Sequence, residues 1–173
     1  LADEQPGEWE ANIRTNRFSG SAYIEATPIQ DLHIRSTFAT TQMSSVAGQF
    51  YGKNSINGKG ASSQASITNN QSSFISWENL LTYRKQLNDH PIELTGVTSY
   101  IQTVNTGNWT LGQNQLFPTQ SWYNLGAANQ FPAYGSNYRK EALVSFTGRI
   151  NYSYLGRYLL TITRRSDGSS KLG

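Results

Sequence analysis

Along most of this chain, apolar and polar side chains alternate with a period of two. From Arg17 to Thr27, Phe18, Gly20, Ala22, Ile24 and Ala26 fall on one side. Arg17, Ser19, Ser21, Tyr23, Glu25 and Thr27 fall on the other. Successive side chains of a β-strand point to opposite faces, so this is a strand with one apolar and one polar face. A turn near 27–31 follows, and the pattern resumes with Leu32, Ile34 and Phe38 against His33, Arg35 and Thr37. Between Phe74 and Tyr83 the apolar side is Ile75, Trp77, Leu81 and Tyr83, interrupted by Asn79. Past a turn near 85–91, Ile92, Leu94, Gly96 and Tyr100 oppose Glu93, Thr95 and Ser99. The clearest run comes last: Val144, Phe146, Gly148, Ile150, Tyr152 and Tyr154 interleave with Ser145, Thr147, Arg149, Asn151 and Ser153. A turn near 154–157 leads into Tyr158, Leu160 and Ile162, which alternate with Leu159, Thr161 and Thr163.

Two stretches lose the alternation, about 42–72 and about 105–140, and read as long loops rich in Gly, Ser, Asn and Gln. The prediction is an all-β chain of about six antiparallel up-and-down strands, arranged as three hairpins. Short turns close each hairpin, and long loops join one hairpin to the next. That asymmetry belongs to transmembrane barrels, with short periplasmic turns and longer extracellular loops. Strands of about ten residues or slightly more suit a tilted bilayer crossing. Tyr83, Tyr152, Tyr154 and Tyr158 lie beside short turns, where an interfacial aromatic girdle would sit. The competing architecture is a soluble β-sandwich, in which the apolar face is a core and the polar face meets water. Alternation alone does not separate the two.

Composition narrows the field. Only 14% of the 173 residues are charged, and aromatics are abundant, with 10 Tyr, 7 Phe and 4 Trp. A disordered tail has the opposite profile. Mean hydropathy is −0.55, and no apolar run approaches the roughly 18 residues of a membrane helix. Barrel strands score as polar on average, so this leaves a barrel open. The net charge of +3 is spread along the chain without a basic cluster, which argues against nucleic acid. There is no Cys, so no thiolate chemistry and no disulfide frame. The opening Leu1–Gly7 has neither the basic nor the apolar region of a signal peptide, and both termini read as those of an excerpt.

The last hairpin carries a resemblance. Phe146-Thr147-Gly148-Arg149-Ile150-Asn151-Tyr152-Ser153-Tyr154, then Arg157-Tyr158-Leu159-Leu160-Thr161, Arg164 and Asp167-Gly168-Ser169-Ser170, resembles a signature of SusC/RagA-type TonB-dependent outer-membrane transporters. Trp77-Glu78-Asn79-Leu80-Leu81-Thr82-Tyr83 and Arg17-Phe18-Ser19-Gly20-Ser21-Ala22-Tyr23 are similar to two earlier strands of that family, in the same order. Ser166 and Leu172 stand where Ala and Phe are commoner. Members of the family are far longer, with a plug and a barrel of about 22 strands. The resemblance therefore implies that residues 1–173 are part of a larger transmembrane barrel. It implies import across a bacterial outer membrane, most often of oligosaccharides and otherwise of peptides. It implies a SusD-like surface lipoprotein as a lid, TonB acting through parts absent from this chain, and outer-membrane lipid around the wall. A soluble β-rich carbohydrate-binding module is the alternative outside the family.

Catalytic chemistry finds no support. His33 and His90 lack the spacing of a metal pair, and neither a G-x-S-x-G elbow nor H-E-x-x-H occurs. The stretches 42–72 and 105–140 contain no acid. The reading is a non-enzyme without cofactor or metal. The second of those stretches is the candidate ligand surface. Trp109, Trp122, Tyr123 and Tyr134 are the expected ligand-binding residues, set among Asn, Gln and Ser. Aromatic faces stack on the C–H surfaces of neutral sugars, and amides bond their hydroxyls without charge.

Overall fold

The computed structural model describes residues 8–58 and 62–171. The opening Leu1–Gly7 and Leu172 lie outside these described residues. The strands are β1 (Trp9–Ile29), β2 (Leu32–Tyr51), β3 (Gln64–Leu87), β4 (His90–Gln115), β5 (Ala128–Tyr154) and β6 (Tyr158–Ser169). They form one sheet in the order β1-β2-β3-β4-β5-β6, an up-and-down meander. The three tight turns fall at 30–31, 88–89 and 155–157, inside the segments that the alternation marked.

Strand length departs from the expectation. β3, β4 and β5 run for 24, 26 and 27 residues, more than twice the expected ten. The stretches 42–72 and 105–140 are therefore mostly strand, and among the described residues the irregular parts shrink to 52–58, 62–63 and 116–127. The reason is physical. A ladder is held by backbone hydrogen bonds, which any residue but proline supplies. Where both faces are polar, the ladder continues without the hydrophobic contrast that betrays it.

The described chain divides into two compact units. One comprises Leu1–Phe18, Gln42–Ser72 and Asn105–Arg139; the other comprises Ser19–Thr41, Ser73–Val104 and Lys140–Gly173. All buried hydrophobic residues among those described, Phe50, Ala65 and Ala128, belong to the first unit. The second unit holds the tight turns and has the stronger alternation, yet its apolar side is uncovered.

On that apolar side Ile24, Phe38, Trp77, Phe146, Ile150, Leu160 and Ile162 are all exposed. The β5–β6 register pairs Ile150 with Ile162 and Tyr152 with Leu160. Directly opposed residues share a face, so the apolar positions of both strands line up. A sandwich would place a second sheet over this face, and the described residues form a single six-stranded sheet. The indole N–H of Trp77 donates to Ser36 Oγ at 2.9 Å, which satisfies it within the apolar face. Near the tight turns His90 shares a 2.7 Å hydrogen bond with the Tyr152 hydroxyl. It also stacks on Tyr154, and Tyr154 stacks on Tyr158. Three of the four tyrosines expected in a girdle thus form one aromatic row.

The opposite side of the same unit is a polar mesh. Arg84 pairs with Glu93, whose other oxygen accepts from Asn151 at 3.2 Å, and Thr161 donates to Asn151 at 3.0 Å. Arg149 donates to Thr163, and Arg165 pairs with Asp167 at 2.9 Å. Arg35 lies 3.6 Å from Glu25 and 4.2 Å from the centroid of the Tyr23 ring. Exposed pairs of this kind contribute at most about 1 kcal/mol each. Their effect is on register, because a one-residue slip would carry every one of them to the apolar side.

The turns carry the backbone strain of this unit. Asn88 (φ 49) and Gly156 (φ 63) suit the left-handed region, whereas Leu155 (φ 52) does not. Leu155 is held there by its N–H bond to the Asp89 carbonyl and by the Arg157 N–H bond to the Tyr154 carbonyl, both 3.0 Å. Leu155→Asn is expected to raise stability by about 1 kcal/mol, and Gly156→Ala to lower it by a similar amount. Equilibrium denaturant unfolding of the folded protein measures both; equal midpoints for the two variants would contradict the assignment.

Candidate functional site

The first unit, taken by itself, is where the candidate ligand residues lie. Its irregular segments are folded onto strands by specific devices. The Glu8 carboxylate accepts from the Asn54 backbone N–H at 3.0 Å and from its side-chain amide at 3.1 Å. The Gly52 N–H donates to the Glu8 carbonyl at 2.7 Å. Buried Ser55 then donates to the Gly52 carbonyl at 2.7 Å and accepts from the Gly58 N–H at 3.0 Å. The segment 52–58 is a compact, internally bonded turn.

The second segment contains the 3-10 stretch Pro118–Ala127, broken at Ser121 (φ 51, ψ −140). It is tied down at both ends, by the Leu116 N–H bond to the Ala127 carbonyl at 3.1 Å and by Gln115. The Gln115 N–H donates to Ser63 Oγ at 3.0 Å, and its side-chain amide donates to the Ser121 carbonyl at 2.7 Å. Two glycines receive its apolar side chains. A Cβ on Gly48 would lie 1.9 Å from the Trp122 ring, and one on Gly112 would lie 3.0 Å from Leu125. Trp122 thus lies flat on the β2 backbone with its indole nitrogen buried. Its outer face is covered by the ring of Tyr123, 4.1 Å away.

Tyr123 is 66% exposed and donates its hydroxyl to Glu10 at 3.2 Å. That bond holds the phenol proton, so the Tyr123 pKa is pushed above its ordinary value. Trp109 is elsewhere on the sheet, over Gly135, where a Cβ would come within 2.8 Å of its indole nitrogen. Tyr134 neighbours Gly135 in β5, so alternation turns it to the opposite face from Trp109. Of the four expected residues, Trp122 and Tyr123 form one stack. Among the described residues no ring contact joins Trp109 or Tyr134 to it.

The structure adds two residues that aromatic content did not point to. A Cβ on Gly107 would lie 2.7 Å from Asn70 Oδ1 and 2.4 Å from Asn137 Oδ1. Two side-chain amides therefore converge over one bare stretch of backbone. Gly107 and Trp109 are two apart in β4, and Gly135 and Asn137 are two apart in β5, so all share a face. The result is a patch of one indole face and two amides without a formal charge. On the reverse face Asn69 donates to Asn108 at 2.9 Å, an amide ladder that ties β3 to β4. The available signal was the two glycines inside strands, which mark close approach.

Such a patch can stack on an apolar ring or chain surface and offer donors and acceptors together. Nothing in it can act as a general acid or base at neutral pH. Among the described residues no three His, Asp or Glu side chains gather as a metal-holding group.

Two measurements check this geometry. Gly48→Ala is expected to expel Trp122 from its seat, at a cost of about 1–3 kcal/mol, and to shift the tryptophan near-ultraviolet dichroism. An unchanged spectrum would refute the packing. The stabilisation from Tyr123 is present at neutral pH, because the group stays protonated below its unfolded pKa of about 10. It is lost as pH rises through the higher folded value. Phenolate absorbance is expected to show one tyrosine titrating late, and that late step should vanish in Tyr123→Phe.

No family model matches the chain. Two proteins of Formosa agariphila do. "TonB-dependent receptor P3" is 31% identical over 98% of this chain and 17% of its own length. "TonB-dependent receptor P26" is 31% identical over 90% of this chain and 16% of its own. The chain thus spans about a sixth of the relatives it matches. Among solved structures, the RagAB peptide transporter matches with a TM-score of 0.86 over 96% of this chain and 19% of that one, at 15% identity. The RagAB peptide importer in its "closed-closed" state matches with a TM-score of 0.83, at 14% identity. These relatives are receptors and transporters by name, and none of them is named as an enzyme.

Proposed function

We propose that this chain, a barrel segment of a TonB-dependent receptor, forms part of the wall of an outer-membrane importer. The observation that carries the reading is the two-sidedness of the second unit. One side is an uncovered apolar surface. The other is a hydrogen-bonded mesh of Arg, Glu, Asp, Asn and Thr. Lipid covers the first, and the water-filled or plugged lumen takes the second. The aromatic row of His90, Tyr152, Tyr154 and Tyr158 lies at one lipid–water boundary, beside short periplasmic turns. Segments 52–63 and 116–127 are the extracellular connections.

The cargo in this reading is a neutral oligosaccharide, met by Trp109 with Asn70 and Asn137, and by the exposed ring of Tyr123. Lack of charge, flat aromatic surface and paired amides support that class. A peptide cargo is the second reading, supported by the RagAB neighbours, which are named for peptides. A SusD-like surface lipoprotein closes over the barrel from outside. TonB supplies the work through parts of the protein beyond this segment.

Membrane fractionation and folding of the full-length protein test the wall. Ile150→Arg is expected to destabilise a lipid-facing position by about 2–4 kcal/mol, while Ser99→Arg on the polar side is near neutral. A soluble module would tolerate both and remain in the aqueous fraction. For the cargo, titration of neutral glycans and of peptides against the full-length protein and Trp109→Ala is the measurement. The expected result is glycan binding that weakens by about tenfold in the variant. Peptide binding with the same loss would move the cargo to the second reading.

A further inference from the structure

Arg164 is out of place. It pairs in register with Gly148, on the apolar side of the second unit between Ile162 and Ser166. Its neighbour Arg165, on the other side, holds Asp167 and donates to Ser145. Arg164 is exposed and has no hydrogen bond or ion pair among the described residues. Beside it is a trough of about 750 Å³, lined by Ile34, Leu81, Gly96, Phe146 and Gly148 and bounded by Arg164 itself.

Two glycines make this trough, and neither is required by the backbone. At Gly96 and Gly148 a Cβ would meet nothing within 4 Å, and neither has a positive φ. Their effect is to leave a strip of the apolar surface bare. On its wall Asn79 donates to the Thr98 hydroxyl oxygen at 3.3 Å, which ties these two polar side chains to each other. Among the described residues of its lining the charged group is the Arg164 guanidinium, with the Ser166 hydroxyl two residues on, on the same side.

We propose that this trough is a binding site for a phosphate-bearing membrane lipid. An acyl chain lies over Gly96 and Gly148, and the phosphate is held by Arg164 and Ser166. The trough could hold a saturated chain of ordinary length, and an acyl chain gains from a dry apolar bed. A guanidinium facing lipid is costly unless an anion meets it, and its planar fork matches phosphate oxygens in a bidentate pair. From Tyr158 beside the turn to Arg164 the strand advances roughly 20 Å. With strands tilted about 40°, that is about 15 Å along the membrane normal, so the Arg164 backbone lies past the middle of an apolar band about 25 Å tall, and snorkelling carries the guanidinium on toward the far headgroups. The proposal rests on the outer-membrane reading above.

Native mass spectrometry of the full-length protein in non-ionic detergent tests it, with dimyristoyl phosphatidic acid and dimyristoylglycerol as probes. Wild type is expected to retain the phosphatidic acid at least about tenfold better than the glyceride, a difference of about 1.4 kcal/mol. Arg164→Gln should abolish that preference, and Arg164→Lys should keep part of it. Gly148→Leu, which fills the trough, should reduce retention of both lipids. Heat-modifiable gel mobility shows that each variant is folded. Equal retention of phosphatidic acid by Arg164→Gln and wild type would overturn the site. So would an ion pair between Arg164 and a carboxylate elsewhere in the full-length protein. A protein absent from the membrane fraction would instead sink the outer-membrane reading, a separate outcome reached before any lipid is added.

Discussion

The fold depends on the hydrogen-bonded ladder between adjacent strands, which satisfies the main chain whatever the side chains are. In an apolar medium this is compulsory, because an unpaired N–H or C=O there costs several kcal/mol. With the main chain satisfied, each face can be assigned a different solvent. In the unit built from Ser19–Thr41, Ser73–Val104 and Lys140–Gly173, one face is apolar and uncovered and the other is a hydrogen-bonded polar mesh. The second face is far from featureless. The chain of contacts from Arg84 through Glu93 and Asn151 to Thr161 crosses from β3 to β6. It links four strands that have no shared apolar core on that side.

The two-faced part of the sheet was legible in the sequence, down to which residue stands on which side. Phe146, Gly148, Ile150 and Tyr152 fall together, and Arg149 and Asn151 fall opposite, as alternation requires. Hydrophobic contrast carries that information. The same contrast misled over 42–72 and 105–140. Residues such as Thr68, Asn69, Asn70 and Gln71 show no contrast, because both of their faces are polar, and they are nonetheless in β3. What holds them is local backbone pairing and amide ladders such as Asn69–Asn108, which leave no period in the sequence.

The candidate ligand patch was half legible for a related reason. Aromatic content drew attention to Trp109, Trp122, Tyr123 and Tyr134, and the structure sorts them by support. Trp122 is a floor plank, seated on Gly48 and roofed by Tyr123. Trp109 is displayed, propped by Gly135. Asn70 and Asn137 were invisible as a pair, since they lie on different strands and meet only over Gly107. Spacing along one strand reveals which side a residue takes. It does not reveal which residue of another strand it meets.

The ladder's indifference to side chains in the first unit has a further consequence. Away from Phe50, Ala65, Ala128 and the Trp122 seat, the strands there run on with little hydrophobic contrast, and little of their stability is invested in any one surface side chain. Substitutions at positions such as Asn70, Trp109 or Asn137 can change which groups the surface presents while the backbone pairing stays intact. Point changes can therefore remake the chemistry of this surface in a sheet that is already standing. Such changes need neither a new loop nor a loss of the fold.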